Sequence, residues 1–142
     1  DMIQIGVTYN KSLIAREKTP ESWEDFLKPE FKGKKIMVDI RPTEIAALVP
    51  AWGLERTLDF ARKLVAQEPV WVRGGSRAVA ALLAGEYPMA IGQNYRSVRR
   101  SQLKDRSGTI AYKMIEPIPV RPSESLSVTA TSSSGVGLMR AM

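Results

Sequence analysis

Ile3, Ile5 and Val7 alternate with Gln4, Gly6 and Thr8, a period-two pattern that predicts a strand ending near Tyr9. Thr19-Pro20-Glu21-Ser22 then leads into Trp23-Glu24-Asp25-Phe26-Leu27. Ser22 followed three residues later by Asp25 approximates a capping box, so a short helix is expected to begin there, and Pro29 and Gly33 break it. The apolar run KIMVDI at 35–40 suits a buried strand. Arg41-Pro42-Thr43 reads as a turn, with Thr43 placed to cap a helix through Ala46, Ala47 and Leu48. Pro50 and Gly53 end or bend that helix. A second helix follows, with Leu54, Leu58, Ala61 and Val65 on one stripe and Glu55, Arg56, Asp59, Arg62 and Lys63 mostly elsewhere.

Pro69 stops this helix and Val70-Trp71-Val72 reads as the next strand. Arg73-Gly74-Gly75-Ser76 is a glycine turn into a helix carrying Val79, Leu82 and Leu83 on one face, with Gly85 as its C-terminal cap. Residues 87–91 return as a strand, and Gly92-Gln93-Asn94-Tyr95 turns into a basic helix. The last regular piece is a strand pair, 110–115 and 126–130, separated by Pro117, Pro119 and Pro122. Strand alternating with helix predicts an α/β lobe of three layers, a mostly parallel sheet flanked by helices. The expected organisation is one lobe over 1–130 and a loose tail over 131–142, where Ser132 to Gly137 offer little to pack. No internal repeat is evident.

With 142 residues and 44% hydrophobic content, the chain can build one domain with a core. No apolar run approaches the roughly 20 residues of a membrane-spanning helix. Asp1-Met2-Ile3-Gln4 shows no signal-peptide pattern, which says little of a piece of a longer protein. There is no cysteine and no histidine. Disulfides, thiolate metal sites, zinc sites of the usual kind and histidine-based triads are therefore excluded within the chain. The net charge of +6 favours an anionic ligand, an anionic surface or nucleic acid. Part of the excess is local, because Arg96, Arg99, Arg100, Lys104 and Arg106 face only Asp105, and a solvated helix face would account for these as well.

In open α/β sheets, ligands sit beyond the carboxyl ends of the strands, at helix N-termini. Three strand-to-helix junctions carry suitable chemistry. At the first, Arg41 offers a rigid fork of donors and Thr43 a hydroxyl, although Thr43 as a mere cap and Arg41 as a solvated cation remain an equal reading. At the second, Gly74 and Gly75 permit close backbone approach, Ser76 supplies an N-cap, and the helix dipole favours an anion. This turn is neither a Walker loop nor a dinucleotide fingerprint, and a GGS turn alone is often only a turn. At the third, Asn94 and Tyr95 can donate and accept hydrogen bonds, unless Tyr95 only plugs the sheet edge. The convergence of the three at one sheet edge is the functional signal.

Catalysis finds little support. Asp39 and Glu44 could form a carboxylate pair, but their spacing fixes no useful geometry, and Ser76 has no base partner. The carboxylate clusters of a metal site are absent, and no cofactor is implied. Nucleic-acid binding would interleave basic and aromatic residues, whereas the basic helix carries only Tyr95 at its start.

The order Tyr9-Asn10, Pro20-Glu21-Ser22-Trp23-Glu24-Asp25-Phe26-Leu27 and Phe31-Lys32-Gly33-Lys34 resembles type II periplasmic solute-binding proteins, and particularly the group of ferric-ion-binding proteins and their relatives. Pro69 to Ser76, Ala84-Gly85-Glu86-Tyr87-Pro88 and Ile91 to Tyr95 continue that order. The resemblance covers about residues 3–130. It implies the second lobe of a two-lobed clamshell, including both crossover segments (3–9 and about 112–130), with the first lobe missing. It further implies a non-enzymatic receptor of an ABC importer that is periplasmic or extracellular and docks on a membrane permease. By the same resemblance the ligand contacts are Arg41, Thr43, Gly75, Ser76, Asn94 and Tyr95.

The resemblance departs at Tyr95-Arg96, where ferric-ion binders commonly carry two adjacent tyrosines. One phenol without a histidine makes this lobe alone a poor iron(III) site, so no metal is assigned; Tyr95 is the ligand if the solute is iron. Arg41, the GGS turn and the positive charge point instead to a small anionic solute, phosphorylated or carboxylated. Effector domains of LysR-type transcription regulators are also similar to this fold, making a ligand sensor the alternative of another class. A lobe without its partner would expose crossover strands and apolar cleft surface, which favours a homodimer.

Overall fold

The structure is a computed structural model that describes residues 2–41, 43–105 and 107–122; the side chains of 2, 3, 94, 121 and 122 are outside the description. Six strands form, β1 (Met2–Asn10), β2 (Ile36–Asp39), β3 (Val70–Val72), β4 (Met89–Asn94), β5 (Ile110–Lys113) and β6 (Val120–Pro122). The helices are α1 (Thr43–Ala46), α2 (Val49–Trp52), α3 (Leu54–Ala66), α4 (Gly75–Leu83) and α5 (Tyr95–Lys104). The strand expected at 126–130 and the tail at 131–142 lie outside the described residues.

The sheet order is β3-β2-β4-β1-β5, and β6 pairs with the N-terminal end of β1. β2 runs parallel to both β3 and β4, whereas β1 runs antiparallel to β4, β5 and β6. The sheet is thus mixed, with its parallel part built from the strand–helix alternation read in the sequence. β1 is long enough to serve two partners along one edge: Val7–Asn10 meets β5 and Met2–Gln4 meets β6.

Strand alternation divides the core into two layers, as expected for a sheet buried on both faces. Ile36 and Val38, Met89 and Ile91, and Val7 and Tyr9 face a cluster completed by Ile45, Leu48, Phe60 and Leu64 of α1 to α3 and by Trp23, Phe26 and Phe31. Met37 and Ala90 face the other way, against Ala78, Val79 and Leu82 of α4 and Val98 of α5.

Several local expectations change. The segment at Ser22 makes its capping box: the Asp25 amide donates to Ser22 Oγ at 3.2 Å and the Ser22 amide to Asp25 Oδ2 at 3.2 Å. Yet it closes only a 3-10 turn, Glu24–Leu27, before Pro29 starts the next such turn, Pro29–Phe31. Thr43 is the first residue of α1, and its hydroxyl donates to Glu44 Oε1 at 3.2 Å. On α3 the inward face is Thr57, Phe60 and Leu64, while Leu54 and Val65 are 39% and 55% exposed. Phe60 brings more apolar surface than any residue of the expected stripe, and the Thr57 hydroxyl donates to Gly53 O at 2.8 Å, so the helix turns that face inward. Ser76 is inside α4, whose N-cap is Gly74, and Leu83 is 41% exposed. Gly85 does follow the C-cap Ala84 with φ +76°. Gly92 and Gln93 belong to β4; they do not form a turn, and the strand accommodates Gly92 as a bulge opposite Gly6/Val7 of β1.

Candidate functional site

The three parallel strands finish at one edge. Asp39 of β2 stands opposite Val72 of β3, and Val38 stands opposite Ile91 of β4. The chain leaves β3 through Arg73 and Gly74, whose φ of +90° carries it into α4 at Gly75, and leaves β4 directly into α5 at Tyr95. The first turns of α4 and α5 therefore stand beside the end of β2, and a cleft of about 950 Å³ opens among them.

Asp39 and Arg41 line this cleft from the β2 end, Arg73 to Arg77 from the glycine turn and α4, and Gln93, Ser97, Arg100 and Ser101 from β4 and α5. Gln93 closes the base against the turn, because a Cβ on Gly75 would lie 3.0 Å from Gln93 Oε1. Any side chain at 75 would push Gln93 aside, which explains a glycine there better than backbone conformation does. Val79, Ala80 and Leu83 supply an apolar wall along α4.

The electrostatics are one-sided. Four arginines, Arg41, Arg73, Arg77 and Arg100, line the cleft against the single carboxylate of Asp39. Arg41 and Asp39 are locked together. The Arg41 amide donates to Oδ1 at 2.9 Å, Nε to Oδ1 at 3.2 Å and Nη2 to Oδ2 at 2.8 Å. Burial pushes the Asp39 carboxyl up, but the Arg41 donors and charge, together with the Gly74 amide, outweigh it and hold the group below the ordinary carboxylate value. Among the described residues, no carboxylate forms an ion pair with Arg73, Arg77 or Arg100.

Of the residues singled out in the sequence, Arg41, Gly75 and Ser76 come together in this cleft, Thr43 and Tyr95 are not among its lining, and the side chain of Asn94 lies outside the description. Asn94 ends β4 with its backbone opposite Ile5. Tyr95, 38% exposed, packs on Tyr112 of β5 with ring centroids 5.2 Å apart. The Tyr112 hydroxyl donates to Gln93 O at 2.7 Å, and burial, with Glu44 and Tyr95 nearby, pushes its ionisation above the ordinary tyrosine value. Glu44 sits on this side too: a Cβ on Gly92 would fall 2.8 Å from Glu44 Cβ. Asp39 is thus held by Arg41, whereas Glu44 lies against Gly92 and accepts from the Thr43 hydroxyl. Among the described residues, no three carboxylates gather as a metal would require.

Arg73, Arg77 and Arg100 were not assigned as contacts from sequence. Arg73 and Arg77 flank the glycine turn and could have been read with it. Arg100 becomes visible only once Ser97, Arg100 and Ser101 are placed at helical spacing on a face turned toward α4.

The fold has counterparts among solved structures. The periplasmic binding protein P5PA is 22% identical with a TM-score of 0.69, covering 84% of this chain and 39% of that one. AfuA from Actinobacillus pleuropneumoniae, a periplasmic binding protein with exogenous fructose-6-phosphate bound, is 18% identical with a TM-score of 0.68, covering 84% and 40%. Iron-bound HitA from Pseudomonas aeruginosa is 20% identical with a TM-score of 0.58, covering 84% and 36%. The chain thus spans about two fifths of the length of these proteins. No curated protein matches it in sequence. Residues 1–91, more than half of the chain, match the model of a family described as bacterial extracellular solute-binding protein, and the chain belongs to that family.

Proposed function

We propose that the chain is the second lobe of a two-lobed extracytoplasmic receptor for an ABC importer, and that it binds a small anionic solute rather than transforming one. The observation that carries the reading is the cleft at the carboxyl edge of β2, β3 and β4, with Arg41, Arg73, Arg77 and Arg100 against Asp39 alone. Guanidinium forks recognise carboxylate and phosphate geometry, and a concave wall of one sign concentrates the opposite sign. Arg41, Gly75 and Ser76 belong to this wall; Thr43 from the start of α1, and Asn94 and Tyr95 from the junction of β4 and α5, are proposed as further contacts. The lobe covers residues 1–130, with residues 3–9 and about 112–130 as the crossovers to the other lobe. Closure of the two lobes on the solute then presents the receptor to a membrane permease, in the periplasm or outside the cell. Without its partner lobe, the chain is expected to pair with a second copy.

Family membership favours this receptor over the effector domain of a transcription regulator. The ferric alternative takes its support from HitA, which is iron-bound. Of the two phenols at the end of β4, Tyr95 is partly exposed and Tyr112 is engaged as a hydrogen-bond donor to Gln93 O. Isothermal titration of the full-length protein with organic anions, inorganic phosphate and ferric ion tests the reading. Saturable binding of an anion supports it; binding of ferric ion without any anion overturns it.

A further inference from the structure

Asp39 is the one acid on a wall of arginines, and it is not there by exposure: it is only 9% accessible and lies at the cleft rim with its oxygens turned to Arg41. Three donors of Arg41 converge on it within 3.2 Å. A carboxylate so placed occupies the donors an incoming anion would otherwise use. It also cancels one of the positive charges that the anion would feel.

We infer that Asp39 is a resident counter-anion that sets the charge preference of the cleft, leaving Arg73, Arg77 and Arg100 to meet the solute. The inference rests on the proposed anion-binding function and names a specificity-determining residue within it. Its physical content is a charge argument. Removing one negative charge near the solute changes the binding energy in proportion to the solute's own charge, so a dianion gains twice what a monoanion gains. A purely structural role for Asp39 would weaken both alike.

The experiment compares the full-length protein with Asp39→Asn, Asp39→Glu and Arg77→Ala, using inorganic phosphate at pH 8 as dianion and acetate as monoanion. Melting curves and circular dichroism establish that each variant is folded. In Asp39→Asn, acetate is expected to tighten about threefold and phosphate about tenfold, with a steeper dependence on salt. Asp39→Glu keeps the charge and should keep the wild-type phosphate-to-acetate ratio. If folded Asp39→Asn binds phosphate no better than wild type, or loses both anions equally, the inference is overturned while the anion-binding reading stands. If no form of the protein binds phosphate or acetate, the inference is overturned, and the anion-binding reading fails with it only when the titration with organic anions is also empty.

Discussion

The indole Nε1 of Trp23 donates to the carbonyl of Pro117 across 3.0 Å, joining residues 94 positions apart in the chain. Trp23 is 1% exposed and stacks on Phe26 at 5.9 Å, so its ring is fixed from one side by the core and from the other by the segment that links β5 to β6. Trp23→Phe keeps an aromatic ring against Phe26 but leaves the Pro117 carbonyl without this donor and a void beside it. A loss of about 2 kcal/mol is expected, and of about 4 kcal/mol for Trp23→Ala, read from chemical denaturation midpoints at constant slope. If Trp23→Phe melts like wild type, the bond contributes nothing.

A glycine on β1 makes a similar demand. A Cβ on Gly6 would lie 2.7 Å from Lys113 O and 2.8 Å from Tyr112 Oη. The first of these atoms is backbone on the paired strand and cannot swing away. Gly6→Ala is therefore expected to separate β1 from β5 and cost about 3 kcal/mol, with faster amide exchange at Thr8 and Tyr112, which are register partners. Gly33 is the control. A Cβ there meets no atom within 4 Å, so the effect of Gly33→Ala comes from its φ of +88° alone and is expected to be about 1 kcal/mol.

These residues also show where the sequence was legible. The polar–apolar alternation over residues 3–8 announces β1, and the apolar run at 35–40 announces β2, a strand covered on both faces of the sheet. What remained hidden depends on distant neighbours. Nothing near Gly6 reports that Tyr112 will cross it, and nothing near Trp23 reports that Pro117 will lie above its nitrogen. The inward face of α3 turned on Phe60 and on a threonine whose hydroxyl is satisfied inside its own helix, a pairing the hydropathy pattern does not display. The same limit applied to the cleft. The glycine turn was visible, but Arg100 enters from a helix that begins 20 residues after Gly75, and the Asp39–Arg41 lock needs both side chains in place.

Thr8 offers a test with the opposite sign. Its side chain is fully buried on β1, and Thr8 Oγ1 has no hydrogen-bond partner among the described residues. A buried hydroxyl without a partner retains the desolvation penalty and returns nothing for it. Valine has the same branched shape and equal or better strand propensity. Thr8→Val is expected to raise stability by about 1 kcal/mol, seen as a higher melting temperature with an unchanged denaturant slope. Thr8→Ser, which keeps the hydroxyl and removes a methyl group, should lower stability. A destabilised Thr8→Val would mean that the hydroxyl is satisfied in solution.

The alkaline limb of stability should carry the signature of Tyr112. Its hydroxyl donates to Gln93 O at 2.7 Å, and burial next to Glu44 and Tyr95 raises its ionisation above the ordinary tyrosine value. For an acid whose folded value is raised, the folded state holds the proton more tightly than the unfolded chain. The contribution is then fully present below about pH 10 and declines as pH rises toward the folded value. Ultraviolet titration of the phenolates should therefore show the Tyr112 step only when the protein unfolds. Tyr112→Phe should remove that late step, and the slope of stability against pH above about pH 10 should become shallower. If Tyr112→Phe instead removes a phenolate that ionises reversibly in the folded protein near pH 10, Tyr112 is open to water and its bond to Gln93 does not hold.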